Sequence, residues 1–167
     1  MSISYKQYRV NDKAVAIDEK QALKKELRNS IRGKENACVA RLGEMAVAKA
    51  TGGTIKNTYD YDIILKDGTR IDVKTKERTV DPKPYYEVSV ADFNTTQKCD
   101  RYYFVSINTK SKPNIISILG WLSKDDFYRK AKFWRKGQID SNSENKFEFR
   151  ADCYNVQIKD LNPLEII

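Results

Sequence analysis

The segment YDYDIILKDGTRIDVKTKER, residues 59–78, decides the fold because it contains two strand-like runs on either side of a tight turn. Residues 61–65 and 69–76 are rich in Tyr, Ile, Val and Thr, which favour strands. The tripeptide KDG at residues 66–68 supplies the turn between them. This segment therefore predicts a β-hairpin.

The second strand of this hairpin carries polar side chains on one face. Strand side chains alternate between faces, so Ile71 and Val73 point one way. Four polar residues point the other way: Arg70, Asp72, Lys74 and Lys76. A carboxylate such as Asp72 can hold a divalent cation, while the Lys74 ammonium orients or activates a water and stabilises developing charge. A solvated edge of the sheet is the alternative interpretation.

The length of the turn decides whether Asp62 joins Asp72. With a two-residue loop, Asp62 lies opposite Val73 and faces away from Asp72. With a three-residue loop at residues 66–68 and Gly68 left-handed, Asp62 lies opposite Asp72 on the same face. A bulge would have the same effect. Because glycine stands at the third loop position, we predict the three-residue loop.

A third carboxylate, Glu44, lies in a helix predicted over about residues 18–50, a stretch rich in Ala, Leu, Lys, Glu and Arg. It shares a helix face mainly with small residues: Ala37, Ala40, Arg41, Val47 and Ala48. An acid on such a face costs free energy unless it has a cation or a donor. A metal shared with the two hairpin aspartates would meet that need, and so would a salt bridge to Arg41 or Lys74.

Further strand and helix patterns follow the hairpin. Strands are predicted over three segments, residues 101–108, 114–121 and 153–158, and residues 85–90 form either a strand or the start of an ordered turn. Residues 91–98 could hold a short helix, and Ser123 caps a helix that runs to about residue 134. This order predicts an α/β fold with a central mixed β-sheet flanked by helices. We expect one domain over residues 1–167, with a basic helical part over about residues 1–34.

The charge of the chain points to an anionic partner. Lys and Arg number 31 against 23 Asp and Glu, which leaves a net charge of +8. Nucleic acid is the first candidate and an acidic membrane surface the second, with a basic protein that has no such partner as a further alternative. The chain has no His, which excludes a His-based triad, a His zinc site and imidazole acid–base catalysis.

The cysteines and the apolar pattern bear on location. Cys38, Cys99 and Cys153 are odd in number and lack metal-ligand spacing, so we expect ordinary core thiols. No apolar run approaches the length that spans a bilayer, and residues 1–13 lack an apolar signal core. We therefore expect a cytoplasmic protein with no membrane partner.

These carboxylates and this lysine, in this order, resemble the motif of the PD-(D/E)xK nuclease superfamily. Three matches carry the resemblance: Glu44 in LGEMAVAKATGG to the helical acid, Asp62 in YDYDIIL to the strand acid, and Asp72-Val73-Lys74 in RIDVKTK to the signature. Tyr61 stands where the family pattern has proline. The resemblance touches most of the chain after about residue 33.

The resemblance implies a restriction-endonuclease-like core of helix, three strands, helix and strand, with extra C-terminal strands and a helix. It implies that Asp62 and Asp72 bind one or two Mg²⁺ (or Mn²⁺) ions, with help from the Val73 carbonyl. Lys74 would position the attacking water, and Glu44 would be a further ligand or would orient one. Gln97 is similar to an auxiliary polar residue on the second helix of some members, with a surface glutamine as the alternative.

Basic residues elsewhere predict contacts with phosphates. The segment SKDDFYRKAKFWRKG, residues 123–137, interleaves basic and aromatic side chains, which suits phosphate binding and base stacking. As an amphipathic helix it would instead bury Phe127 and Phe133 and point its charges to water. The predicted phosphate contacts lie at the end of this segment and in the N-terminal basic helix: Arg135, Lys136, Lys24 and Arg28.

These observations lead us to expect a metal-dependent nuclease that hydrolyses phosphodiester bonds in DNA. The preference for DNA follows from the family resemblance, and cutting both strands or a branched junction would call for a homodimer. The main alternative is a catalytically inactive nucleic-acid-binding module of the same fold. A structural or interaction protein whose basic face meets an acidic protein is a further alternative.

Overall fold

The computed structural model describes residues 5–9, 34–56, 58–111, 114–141, 143 and 146–164, with the backbone alone for residues 9 and 34–38. The helices and strands in chain order are β1 (Lys6–Arg9), α1 (Lys34–Thr51), β2 (Thr54–Ile55), β3 (Ile63–Ile64), β4 (Arg70–Arg78), β5 (Glu87–Ala91), β6 (Arg101–Asn108), β7 (Ile115–Ser123), α2 (Lys124–Lys130), β8 (Lys132–Trp134) and β9 (Cys153–Gln157). The helix predicted over residues 18–50 is confirmed from Lys34 onward. The preceding segment, with Lys24 and Arg28, lies outside the described residues.

A mixed sheet of six strands forms the centre of the described fold, in the order β1-β7-β6-β4-β3-β2. Strands β4 and β6 run parallel, and the other neighbours pair antiparallel. Strand β6, RYYFVSIN, is buried at every position from 102 to 107, as expected for a strand covered on both faces. The α/β class and the mixed sheet predicted from the sequence are therefore confirmed.

The β3–β4 hairpin has the predicted three-residue loop. Ile64 pairs with Arg70, and the Leu65 amide donates to the Thr69 carbonyl at 2.9 Å. The three residues between Leu65 and Thr69, the KDG tripeptide, therefore form the loop. Its glycine, Gly68, has φ +88°, a left-handed conformation that glycine adopts without steric cost.

Helix α1 packs on one face of the sheet and approaches β4 closely at Gly43. Leu42, Ala46 and Val47 of the helix share a buried core cluster with Val73 of β4. A Cβ atom on Gly43 would lie 1.8 Å from the Thr75 side-chain oxygen, so the absence of a side chain permits this contact. The next residue of the helix, Glu44, is thereby set beside β4.

The three-stranded sheet β5-β9-β8 covers the other face of the central sheet. A second core cluster joins the two sheets, with Val90 of β5, Tyr102 and Phe104 of β6 and Phe127 of α2 among its buried members. Asp72 of β4 is the register partner of Tyr102 in the parallel pair, so it lies on this covered face.

The connection between β4 and β6 differs from the core helix that the family resemblance implies. Residues 79–100 hold β5 and one 3₁₀ turn, Asp92–Asn94. Strand β5 pairs with β9 in the second sheet, a contact distant in sequence. The following segment, ADFNTTQK, is rich in Asp, Asn and Thr, which are weak helix formers. The short helix predicted over residues 91–98 is thus reduced to a single turn.

Helix α2 ends at Lys130, several residues before the predicted end near residue 134. The chain turns extended at Ala131, and β8 then pairs antiparallel with β9. This tertiary pairing overrides the local helix preference. Phe127 is fully buried as predicted, but Phe133 lies on β8 with 38% of its surface exposed, so its predicted place in the core is wrong.

Two further expectations concern the burial of the cysteines and the absence of a membrane-spanning segment. Cys99 and Cys153 are buried free thiols, which confirms the prediction of core cysteines for these two. The Cys38 side chain lies outside the described residues. Neither α1 nor α2 is both long enough and apolar enough to cross a bilayer, and the same holds for every helix in the described part of the chain.

Candidate active site

The hairpin brings Asp62 and Asp72 to the same place on the sheet. The Asp62 amide donates at 2.8 Å to the carbonyl of Ile71, the residue that Ile63 pairs with, so the regular β3–β4 ladder ends at Ile63 and the pairing at Asp62 is irregular. The two carboxyl groups lie close together, because the charge of Asp72 raises the pKa of Asp62 and the Val73 amide donates to Asp62 Oδ2. The two aspartates therefore meet as predicted, with the three-residue loop and an irregular pairing at Asp62.

Asp72, Lys74 and Gln97 form a buried polar network. Lys74 Nζ lies 2.7 Å from Asp72 Oδ2 and donates to Gln97 Oε1 at 3.1 Å. Gln97 Nε2 in turn donates to Asp72 Oδ1 at 3.2 Å. Each member thus contacts the other two, and Asp72 is only 3% exposed. The Lys74 ammonium has a fixed position as a result.

Gln97 is buried, so the alternative of a surface glutamine is wrong. Its amide also donates to the Tyr59 carbonyl at 2.8 Å, which ties the segment after the 3₁₀ turn to the segment before Asp62. Gln97 follows a 3₁₀ turn and does not lie on a helix as the resemblance implied. Its contacts with Asp72 and Lys74 bring it into the candidate site, and its auxiliary role remains a prediction.

The two aspartates stand in an unfavourable electrostatic environment. Burial, together with the negative charges of Asp72 and Glu44, raises the pKa of Asp62 to about 8, although the Val73 amide and Lys74 act against this. Burial also raises the pKa of Asp72, although Lys74 and Gln97 favour its charged form. Two carboxylates close together in a buried site cannot both ionise without a compensating cation.

Glu44 contributes to this site through its charge. Its carboxylate raises the pKa of Asp62, which shows that the two side chains are near one another. Its ion pair is with Arg41 on the same helix, at 3.4 Å. The predicted salt bridge from Glu44 to Arg41 is therefore confirmed. A role for Glu44 as a metal ligand remains a prediction.

Val73 contributes its backbone to the site. The Val73 amide donates to Asp62 Oδ2 at 2.8 Å, which fixes the orientation of the Asp62 carboxyl group. The Val73 side chain is buried against α1, on the opposite face from Asp72. A ligand role for the Val73 carbonyl remains a prediction.

Asp62 and Asp72 have the chemistry that a magnesium ion requires. Asp72 Oδ2 is buried, and the Lys74 ammonium lies 2.7 Å from it as an ion-pair partner. In the described part of the chain, no three His, Cys, Asp or Glu side chains are grouped to hold a metal ion. Two carboxylates nevertheless suit Mg²⁺, which usually keeps several waters and also takes a substrate phosphate as ligand. The donor set therefore fits this ion.

Lys124 is a further residue near the site that the sequence analysis did not select. It is the first residue of α2, and its Nζ donates to the Gln97 carbonyl. It thereby joins α2 to the segment that carries Gln97. The sequence signal is weak, because Lys124 is one of several basic residues in its segment and only the fold brings it back to the sheet.

The predicted phosphate contacts after β8 lie at the surface. Arg135 and Lys136 are both exposed, and their amides are held by Gln138 Oε1 and Asp152 Oδ1. Lys136 lines a shallow pocket that also contains Lys146. A phosphate role for these residues remains a prediction, as it does for Lys24 and Arg28 outside the described residues.

Comparison of the chain with protein-family models and with curated proteins gives no match. The geometry of the site itself therefore has to support any functional assignment.

Proposed function

We propose that this protein is a metal-dependent nuclease that hydrolyses phosphodiester bonds in DNA. The observation that carries the proposal is the arrangement of Asp62, Asp72 and Lys74, in which two carboxylates lie close together and an ammonium lies 2.7 Å from one of them. A basic chain without histidine is consistent with this chemistry, which requires carboxylates and lysine only.

The proposal includes a restriction-endonuclease-like core. Helix α1, the antiparallel strands β2, β3 and β4, and the parallel strand β6 follow the order of that core. The connection through residues 79–100, which contains no α-helix, departs from it. A cytoplasmic location, and a homodimer where both strands are cut, belong to the same proposal.

Asp62 and Asp72 would hold Mg²⁺, or Mn²⁺, through their carboxylate oxygens, with the Val73 carbonyl as a further predicted ligand. When bound, the ion polarises the phosphate and lowers the pKa of a coordinated water. Lys74, fixed by Asp72 and Gln97, orients the attacking water and stabilises the charge that develops on the phosphate. Asp62 is oriented for its role by the Val73 amide.

The test is incubation of the purified protein with plasmid, linear and branched DNA, in magnesium or in chelator. We expect cleavage that requires magnesium and that Asp72→Ala abolishes, while DNA binding persists. Glu77→Gln is the matched control, because Glu77 is an exposed carboxylate on the same strand. Cleavage by Asp72→Ala at the parental rate would show that the site is assigned wrongly.

One observation favours a second candidate, a nucleic-acid-binding module of the same fold without activity. Glu44 pairs with Arg41, and the described acidic side chains form no group of three that could hold a metal. For this candidate, parent and Asp72→Ala would both fail to cut any substrate and would both bind DNA with steep salt dependence. If DNA binding is absent as well, a protein with an acidic protein partner is the alternative that survives.

A further inference from the structure

An exposed aromatic residue, Tyr59, borders the candidate active site. Its side chain is 66% exposed, although Tyr usually buries much of its ring. The Gln97 amide that donates to Asp72 Oδ1 also donates to the Tyr59 carbonyl. Two hydrogen bonds through one side chain therefore link the Tyr59 backbone to the Asp72 carboxylate.

Tyr59 is held rigidly even though its ring is exposed. Its hydroxyl contacts the Thr96 hydroxyl at 3.4 Å, and its carbonyl accepts from Gln97 at 2.8 Å. The next residue, Asp60, accepts from the Lys98 amide at 3.1 Å. Three contacts thus join the segment around Tyr59 to the segment 96–98.

The turn that carries Tyr59 is also closed internally. The Thr58 amide and hydroxyl both donate to the Tyr61 carbonyl, at 3.1 and 2.7 Å, and the Tyr61 amide donates to the Thr58 hydroxyl at 3.0 Å. A ring on such a turn loses little conformational entropy when a ligand stacks on it. The arrangement therefore favours a role for the Tyr59 ring in binding a ligand over a role in the hydrophobic core.

We propose that Tyr59 is a stacking platform for an unpaired base of the substrate, next to the phosphate that is cut. Aromatic faces bind bases without regard to sequence, but a base within a duplex presents no free face to them. This inference rests on the proposed function, and it assigns the substrate class. The nuclease acts on single strands or on unpaired positions such as ends and junctions.

The experiment measures binding of a short single-stranded DNA that contains 2-aminopurine, and of the same sequence as a duplex, in chelator so that nothing is cut. We expect Tyr59→Ala to weaken single-strand binding about tenfold and duplex binding less than about twofold. Tyr59→Phe keeps the ring and should bind like the parent. Tyr85→Ala removes another exposed aromatic side chain, 55% exposed, and is the matched control.

A structural readout accompanies the affinities. The fluorescence of 2-aminopurine falls when the base stacks, and this quenching should be present in the parent and Tyr59→Phe and lost in Tyr59→Ala. Thermal unfolding checks that all three variants fold, as expected for exposed side chains. If Tyr59→Ala binds single strands as the parent does, or weakens single-strand and duplex binding equally, this inference is wrong while the nuclease proposal stands. If the parent binds no nucleic acid, both are wrong.

Discussion

The carboxyl groups of Asp62 and Asp72 are both in surroundings that disfavour their ionised forms. Asp62 accepts from the Val73 amide, and Asp72 lies beside Lys74, yet burial raises the pKa of both groups. One lysine cannot neutralise two buried carboxylates. Without a metal, the pair therefore retains a proton near neutral pH, and a divalent cation can take the place of that proton.

The stability of the metal-free protein should fall as pH rises, because of Asp62. Its pKa is about 8 in the folded state and about 3.9 in the unfolded state, so the folded state binds the additional proton between these values. The stabilisation is full below about pH 4 and is lost as pH rises through about 8. The raised pKa of the buried Asp72 carboxyl acts in the same direction.

Asp62→Asn provides the measurement of this effect. The variant keeps an oxygen for the Val73 amide but cannot ionise, so in chelator it should be more stable than the parent at pH 8.5, on the order of 5 kcal/mol. At pH 4 the two should be alike. Thermal unfolding followed by circular dichroism across this range gives the comparison. Parallel curves for the parent and the variant would show that Asp62 ionises normally.

Gln97 should contribute to both stability and catalysis, because it contacts Asp72, Lys74 and the Tyr59 carbonyl at once. We expect Gln97→Ala to cost about 1–3 kcal/mol of unfolding free energy and to lower the cleavage rate about 10- to 100-fold. Gln138→Ala is the control, since Gln138 is exposed and its side chain accepts a hydrogen bond from the Arg135 amide. Equal cleavage rates for the two variants would exclude a positioning role for Gln97.

At the scale of elements, the hairpin was predictable and the connection after it was not. The KDG tripeptide fixes the loop length locally, and the loop length fixes which residue faces Asp72. Strands β5 and β8, in contrast, form because each pairs with β9, which lies more than sixty residues after β5 and nearly twenty after β8 in the chain. Sequence periodicity carries no information on such partners, so α2 was predicted too long and a short helix was expected over residues 91–98, although the strand pattern at residues 85–90 does match β5.

The contact of α1 with β4 should depend on Gly43. A Cβ at this position would lie 1.8 Å from the Thr75 side-chain oxygen and 3.0 Å from its Cβ, so helix and strand would have to separate. We expect Gly43→Ala to cost about 1–3 kcal/mol of unfolding free energy, and to lower activity because Glu44 moves with the helix.

The double variant Gly43→Ala with Thr75→Ala tests the cause of this loss. The Thr75 hydroxyl is buried and has no hydrogen bond within the described residues, so its removal costs little on that account. The double variant should recover part of the stability that Gly43→Ala loses, as measured by chemical denaturation. Additive losses in the two single variants would place the strain elsewhere.

At the scale of the molecule, the site lies where the two sheets and both helices meet. β4 supplies Asp72 and Lys74, the second sheet covers that face, and Lys124 of α2 holds the Gln97 segment. The sequence could predict the carboxylates and their lysine from local patterns. It could not predict Lys124 or the burial of Gln97, since both depend on how distant segments pack.

Metal binding at this junction should stabilise the whole described fold. A ligand that binds only the folded state adds about 1.4 kcal/mol at a tenfold excess over its Kd, which raises the Tm of a protein of this size by about 3–6 °C. We expect this rise with Mg²⁺ and with Mn²⁺, and we expect Asp72→Asn to remove it while Glu77→Gln keeps it. Thermal unfolding needs no substrate, so it separates the two candidate functions before any DNA is tried. The contrary result is a parent Tm that neither ion changes at millimolar concentration and that matches the Tm of Asp72→Asn both in chelator and in metal. This result would favour the inactive binding module, because a nuclease site of this kind must hold its ion in order to work.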